Sequence, residues 1–168
     1  GCVSLSAIIR QALGYTQPQL MKGELLLVTQ NNLSTGLMNG DLVVVRSVGD
    51  RQQVRANLTF LNVEVEELAS KRAHSIMLIA DILYSSYVNL TQEQQKDLFI
   101  DFYRRERRKG VKEKDNMFKH DLMNDPYLNA LRAVFGYAIT CHKSQGGEWN
   151  KVFVDIPRRM SHEPDRCT

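Results

Sequence analysis

Residues Tyr137–Trp149 spell YAITCHKSQGGEW, a polar stretch with two adjacent glycines that begins inside an apolar, strand-like segment, Val134–Thr140. A second apolar segment, Lys151–Ile156, follows and has the length of a buried strand. The sequence therefore predicts two strands joined by a turn that carries hydroxyl, imidazole, ammonium and amide groups. These groups donate hydrogen bonds to phosphate oxygens, and the glycines let a ligand approach the backbone closely.

The Lys143–Ser144 pair does not belong to a P-loop. The pattern G-x-x-x-x-G-K-[ST] requires two glycines before the lysine, and those positions hold Tyr137 and His142. Without the glycines the loop cannot wrap a phosphate chain with its own N–H groups. The pattern occurs nowhere else in the chain.

Short strand-like segments separated by turn residues occupy residues 24–84. They are Glu24–Gln30, Leu42–Val48, Phe60–Val65 and Ile76–Leu83. Asn, Gly and Asp residues, including Gly49-Asp50, predict tight turns between them. The pattern predicts a small antiparallel β-barrel.

The next part of the chain has a helical and then a polar character. Thr91-Gln-Glu-Gln94 is the sequence pattern of a capping box, and it predicts a helix to about Arg108. We expect Gly110–Asn124 to form a loop and Asp125-Pro126 to open a short helix.

The stretch Arg104–Lys114, RRERRKGVKEK, holds seven basic and two acidic residues. Such a patch can bind phosphates. A helix end also favours cations, because they oppose the negative pole of the helix dipole. The sequence leaves both interpretations open.

The composition excludes several classes of protein. With 43% hydrophobic and 24% charged residues the chain is globular, and its net charge of +3 is too small to indicate a partner. No apolar run is long enough to cross a membrane. The three cysteines contain no C-x-x-C pair, which predicts a reduced, cytoplasmic protein. The histidines have no partners at ligand spacing, so no metal site is predicted.

The pattern Thr140-x-His142-Lys143-Ser144-Gln145-Gly146-x-Glu148 resembles motif V of superfamily-1 DNA helicases of the RecD-like branch, in the C-terminal region shared with UvrD-like helicases. The upstream residues Thr29–Asn32 and Asn39-Gly40-Asp41 resemble the segment that, in this branch, leads into a small Src-homology-3-like barrel inserted in the second motor domain. Residues 84–126 match no part of the family pattern.

The resemblance implies an α/β fold, namely a partial RecA-like (P-loop NTPase-type) second motor domain with an inserted small antiparallel β-barrel. Residues 1–23 would start the motor domain and residues 24–84 would form the barrel. Residues 85–126 would be a helical and basic insertion, and residues 127–168 would complete the motor domain with motif V.

Members of this family hydrolyse ATP with Mg²⁺ between two RecA-like domains and move along single-stranded DNA. The resemblance implies a nucleotide-binding set formed by Gln145, Gly146 and Glu148, in which Glu148 accepts a hydrogen bond from the ribose. It also implies a DNA-binding set formed by Thr140, His142 and Lys143, with a further DNA contact from Asn31 or Asn32.

The chain contains no P-loop, no Mg²⁺-binding acidic motif and no arginine-finger motif. We therefore expect a fragment of a longer helicase, with no catalytic residues of its own and no ATP turnover alone. Its implied partners are the missing N-terminal motor domain of the same chain, single-stranded DNA, and nuclease subunits of the exodeoxyribonuclease V type; no membrane is implied. The alternative is a non-catalytic module whose barrel binds nucleic acid or a protein.

Overall fold

The computed structural model describes residues 2–140 and 153–154 of the chain. The elements, in chain order, are α1 (Cys2–Ala12), β1 (Leu25–Val28), β2 (Leu42–Arg55), β3 (Leu58–Glu67), β4 (Ala73–Ile79), α2 (Ala80–Tyr84), α3 (Gln92–Arg108), α4 (Asn116–Asn124) and β5 (Ala133–Phe135). The predicted strand Lys151–Ile156 lies outside the described residues, except Phe153 and Val154, which are in neither helix nor strand. No helix of the described part is long and apolar enough to cross a membrane.

The five strands form one antiparallel sheet in the order β4-β3-β2-β1-β5. Strands β2 and β3 make a long hairpin that turns at Ala56 and Asn57, which both have positive φ (47° and 59°), as a type I′ turn requires. The prediction of a turn at Gly49-Asp50 is wrong. Strand β2 continues through it, and a register shift between Val48 and Gln52 takes up the extra residues as a bulge.

The sheet is not closed, so the small antiparallel β-barrel predicted for residues 24–84 is not confirmed. The two edge strands of the sheet approach each other at a parallel β-bridge, which joins Leu78 of β4 to Leu131, just before β5. Leu131 N donates to Met77 O (2.7 Å) and Ile79 N donates to Leu131 O (3.1 Å). Strand β5 itself has only three residues and pairs with β1. The architecture is mixed α/β, and the RecA-like assignment stays a prediction.

The helix α3 begins at the predicted capping box. Thr91 Oγ1 accepts a hydrogen bond from Gln94 N (3.2 Å), and Gln94 Oε1 accepts one from Thr91 N (2.9 Å). Leu98 and Phe102 of this helix are buried, whereas Phe99 is 42% exposed. Leu98 packs against the sheet through Leu58 and its neighbours. The structure confirms the predicted helix and its start.

Helix α4 occupies a region predicted to be a loop, residues 110–124. It forms because Phe118 packs edge-on against Phe102 of α3, with 5.3 Å between the ring centroids. The helix predicted to open at Asp125-Pro126 is a turn instead. Asp125 Oδ1 accepts hydrogen bonds from Tyr127 N (3.0 Å) and Leu128 N (2.9 Å), which fix that turn.

Candidate nucleic-acid interface

The loop between β1 and β2 is organised by Asn32. Its Oδ1 accepts hydrogen bonds from Ser34 Oγ (2.6 Å) and Thr35 N (3.1 Å), while its Nδ2 donates to Asn129 O (2.7 Å). The residue is only 7% exposed. Asn32 therefore shapes the loop and attaches it to the segment that follows α4.

Asn31, the other predicted asparagine, is exposed. Its Oδ1 accepts a hydrogen bond from Asn39 N (2.8 Å) across the loop, and no acceptor for its Nδ2 occurs among the described residues. Leu33 and Met38 of the same loop are 81% and 59% exposed. The loop thus offers an amide donor and two apolar side chains on its outer surface.

Arg132 lies directly before β5 and faces this loop. Thr29 N donates to Arg132 O (2.9 Å), which fixes the backbone. The side chain is half-buried, and its Nη1 donates to Gln30 Oε1 (2.7 Å) and Asn89 Oδ1 (2.9 Å). Burial lowers the pKa of Arg132, and no charged neighbour within residues 2–140 offsets that effect. The residue is a guanidinium held among neutral amides.

Two polar clefts meet at Asn129. The first, of about 120 Å³, is lined by Arg132, Gln30, Asn31 and Asn32, together with apolar side chains. The second, of about 350 Å³, is lined by amide and hydroxyl side chains that include Asn62, Ser75 and Asn124, and by Asp125. Both surfaces suit a polar ligand better than an apolar one.

The basic stretch predicted at residues 104–114 divides into paired and unpaired cations. Arg105 is paired with two carboxylates of the fold, because its Nε donates to Asp101 Oδ2 (2.9 Å) and its Nη1 donates to Asp125 Oδ2 (2.5 Å). Lys109 Nζ donates to the buried Glu106 (2.7 Å). In contrast, three exposed arginines form no ion pair within the described part of the chain: Arg104, Arg107 and Arg108. Their spacing places them on one face of α3.

The chain that leaves β5 is held tightly against β1. Gly136 N donates to Leu25 O (2.9 Å), and a Cβ at Gly136 would come within 3.2 Å of the backbone carbon of Leu26. Leu25 N donates to the hydroxyl of Tyr137 (3.2 Å), whose pKa is raised by burial. Glycine at position 136 permits this close approach.

Thr140 is exposed, and the described residues continue from β5 as far as Thr140, the first residue of the pattern at residues 140–148. The strand predicted over residues 134–140 is shorter than expected, since β5 ends at Phe135. The other residues predicted from the resemblance lie outside the described residues: His142, Lys143, Gln145, Gly146 and Glu148. Their nucleotide-binding and DNA-binding roles stay predictions.

The polar turn belongs to a segment that resembles a known family. Residues 135–167 match the UvrD-like helicase C-terminal domain. The matched segment starts at the last residue of β5 and includes the whole pattern at residues 140–148. The match supports the C-terminal region of a superfamily-1 helicase, and DNA binding in general. A search of curated proteins found no match to the chain.

Sequence reasoning did not find the cluster formed by Arg132, Gln30 and Asn89. Arg132 and Gln30 are 102 positions apart, and Asn89 is 43 positions from Arg132. The only local signal is an arginine directly before an apolar strand. No group of three His, Cys, Asp or Glu side chains suited to a metal ion occurs in residues 2–140 and 153–154.

Proposed function

We propose that this chain is the C-terminal part of an ATP-dependent DNA helicase or translocase of the RecD-like branch, including subunits of the exodeoxyribonuclease V type. The observation that carries the proposal is the match over residues 135–167, which contains T-x-H-K-S-Q-G-x-E. In this proposal the chain supplies single-stranded DNA contacts and one side of an ATP cleft, and a second motor domain supplies the P-loop and the Mg²⁺-binding acid.

On the nucleotide side, the proposal assigns Gln145, Gly146 and Glu148. A carboxylate at position 148 can accept a hydrogen bond from a ribose hydroxyl, and the glycine lets the backbone approach the nucleotide. Gln145 would couple the nucleotide state to the DNA contact. ATP and Mg²⁺ are the cofactors of the intact protein in this proposal.

On the DNA side, the proposal assigns Thr140, His142 and Lys143, whose donors suit phosphate oxygens. Asn31 is the better placed of the two loop asparagines, because it is exposed. Asn32 would act through the loop that it shapes, because its own amide is occupied within the protein.

ATP hydrolysis by the full-length protein tests the proposal. Glu148→Ala should raise the KM for ATP about tenfold or more, because it removes a hydrogen bond to a charged acceptor. Gln145→Ala should lower the stimulation of ATP hydrolysis by single-stranded DNA. The matched controls are Glu113→Ala and Gln52→Ala, both at exposed positions, and they should leave both quantities unchanged.

Full DNA stimulation and an unchanged KM in both test variants would contradict the proposal. If such variants still bound nucleic acid, the chain would instead be a non-catalytic binding module built on the sheet. ATP hydrolysis with normal DNA stimulation by the 168-residue chain alone would contradict the need for a second motor domain.

A further inference from the structure

Arg132 has more hydrogen-bond donors than the described residues use. A guanidinium carries five N–H groups. Only Nη1 has acceptors, Gln30 Oε1 and Asn89 Oδ1. The Nε and Nη2 atoms donate to no described residue, and neither is among the buried atoms that lack a partner. Within the described part of the chain, one edge of the guanidinium therefore has donors that a ligand could use.

The charge of Arg132 is not balanced by any carboxylate of the described residues. The two other well-packed arginines differ in this respect, because Arg10 is paired with Glu24 and Arg105 with Asp101 and Asp125. Among the described residues, burial is the cause that lowers the pKa of Arg132, yet a guanidinium remains charged at physiological pH. A half-buried cation surrounded by neutral amides attracts an anion.

The cleft beside Arg132 matches a small anion in size and in lining. Its volume of about 120 Å³ exceeds the space needed for a single water molecule. Of the described residues that line it, none is acidic and Arg132 alone is charged. Asn31 adds a neutral donor, because its Nδ2 has no acceptor among the described residues, whereas the Nδ2 of Asn129 already donates to backbone carbonyls. A phosphate oxygen would therefore meet the donors of Arg132 and Asn31 and no carboxylate of the described lining.

An exposed aromatic side chain lies on the same loop as Asn89. Tyr87 is 69% exposed and precedes Asn89 by two residues, which limits the separation of their Cα atoms to about 7 Å. Its ring packs against no aromatic ring of the described residues. Exposed aromatic rings beside cations are stacking platforms for the bases of single strands. This feature favours a polynucleotide over a free phosphate ion.

We propose that the Arg132 cleft binds a backbone phosphate of single-stranded nucleic acid, with Tyr87 stacking on a neighbouring base. The site is additional to the motif at residues 140–148, and its identification as part of a DNA track rests on the proposed function. Gln30 and Asn89 are its positioning residues, because they orient the guanidinium through Nη1.

Binding of a fluorescein-labelled oligothymidylate to the 168-residue chain, measured by anisotropy over a range of salt, tests the site. Arg132→Gln should weaken binding about tenfold or more and reduce the slope of log affinity against log salt by about 0.7. Arg132→Lys keeps the charge and should keep the slope. Tyr87→Ala should weaken binding about fivefold or more without changing the slope. The control Arg51→Gln, at an exposed position of β2, should change affinity far less than Arg132→Gln.

Wild-type affinity and slope in Arg132→Gln, or no oligonucleotide binding by the wild-type chain, would overturn the proposal. The proposal would also be overturned if Arg132→Gln lost the binding of inorganic phosphate but kept the wild-type affinity for the oligonucleotide, because the cleft would then be a site for a free anion. Thermal unfolding checks that each variant folds. If Arg132→Gln does not fold, the oligonucleotide affinity of Tyr87→Ala is the test instead. An affinity equal to that of the wild-type chain would overturn the proposal. The Gln145→Ala and Glu148→Ala variants, which test the proposed function through ATP hydrolysis, do not change the cleft residues. The proposed function and the Arg132 site are therefore tested independently.

Discussion

The ion pair between Arg10 and Glu24 attaches α1 to the start of β1. Glu24 is fully buried and Arg10 is 7% exposed. Arg10 Nη2 donates to Glu24 Oε2 (3.0 Å), and Met21 N donates to the same oxygen (2.8 Å). The guanidinium also lies 4.1 Å from the ring centroid of Phe135, the last residue of β5. The pair thus links α1, β1 and β5.

Glu24→Gln should destabilise the fold strongly, because it leaves the charge of Arg10 buried without a partner. Breaking a buried pair in this way costs about 3–5 kcal/mol. For a chain of this length each kcal/mol shifts Tm by about 2–4 °C, so Tm should fall by roughly 6–20 °C. Glu66→Gln is the matched control, since its partner Arg46 has a side chain that is 47% exposed. The control should cost less than about 1 kcal/mol.

Urea unfolding followed by circular dichroism measures both variants. The double variant Arg10→Met/Glu24→Leu should recover much of the lost free energy of unfolding, because it removes both buried charges. A cost for Glu24→Gln as small as that for Glu66→Gln would refute the reasoning. It would mean that water or a rearrangement compensates the charge of Arg10.

Two further predictions concern the basic face of α3 and the behaviour at low pH. Replacing Arg104, Arg107 and Arg108 together by Gln should lower the salt slope of oligonucleotide binding by about 2 if the face contacts phosphates; an unchanged slope would exclude such contacts. The pKa of Glu67 is lowered mainly by the hydrogen bond from Ser70. Its contribution to stability is therefore present above the unfolded pKa, about 4.3, and is lost as the pH falls through the lower, folded value. In Glu67→Gln the free energy of unfolding should fall less steeply with decreasing pH in that acid range than in the wild-type chain. Identical pH profiles of the two proteins would contradict this prediction.

The sequence predicts those parts of the fold that depend on local patterns. The capping box at Thr91 fixes the start of α3 because both of its hydrogen bonds are local. The turn expected at Gly49-Asp50 fails because a glycine inside a long hairpin can be taken up as a bulge. Helix α4 is missed because its formation depends on Phe118 meeting Phe102, a contact between separate elements.

The candidate site also has a part that the sequence predicts and a part that depends on contacts between distant segments. The pattern at residues 140–148 is contiguous, so it can be found in the sequence without coordinates. The Arg132 cluster joins three segments that only the sheet and the Asn89 loop bring together. The family resemblance predicts a DNA contact from Asn31 or Asn32, whereas the side-chain amide of Asn32 is hydrogen-bonded within its loop and to Asn129 O. Its DNA role is therefore proposed to be indirect.

Photo-crosslinking of the full-length protein to single-stranded DNA that contains 5-bromodeoxyuridine tests the central claim most directly. With a non-hydrolysable ATP analogue present, mass spectrometry of the crosslinked peptides should locate DNA on residues 136–148 and on the loop at residues 30–41. Crosslinks confined to other surfaces, such as the β2–β3 hairpin turn at Ala56 and Asn57, would contradict the claim that this chain carries part of the DNA track.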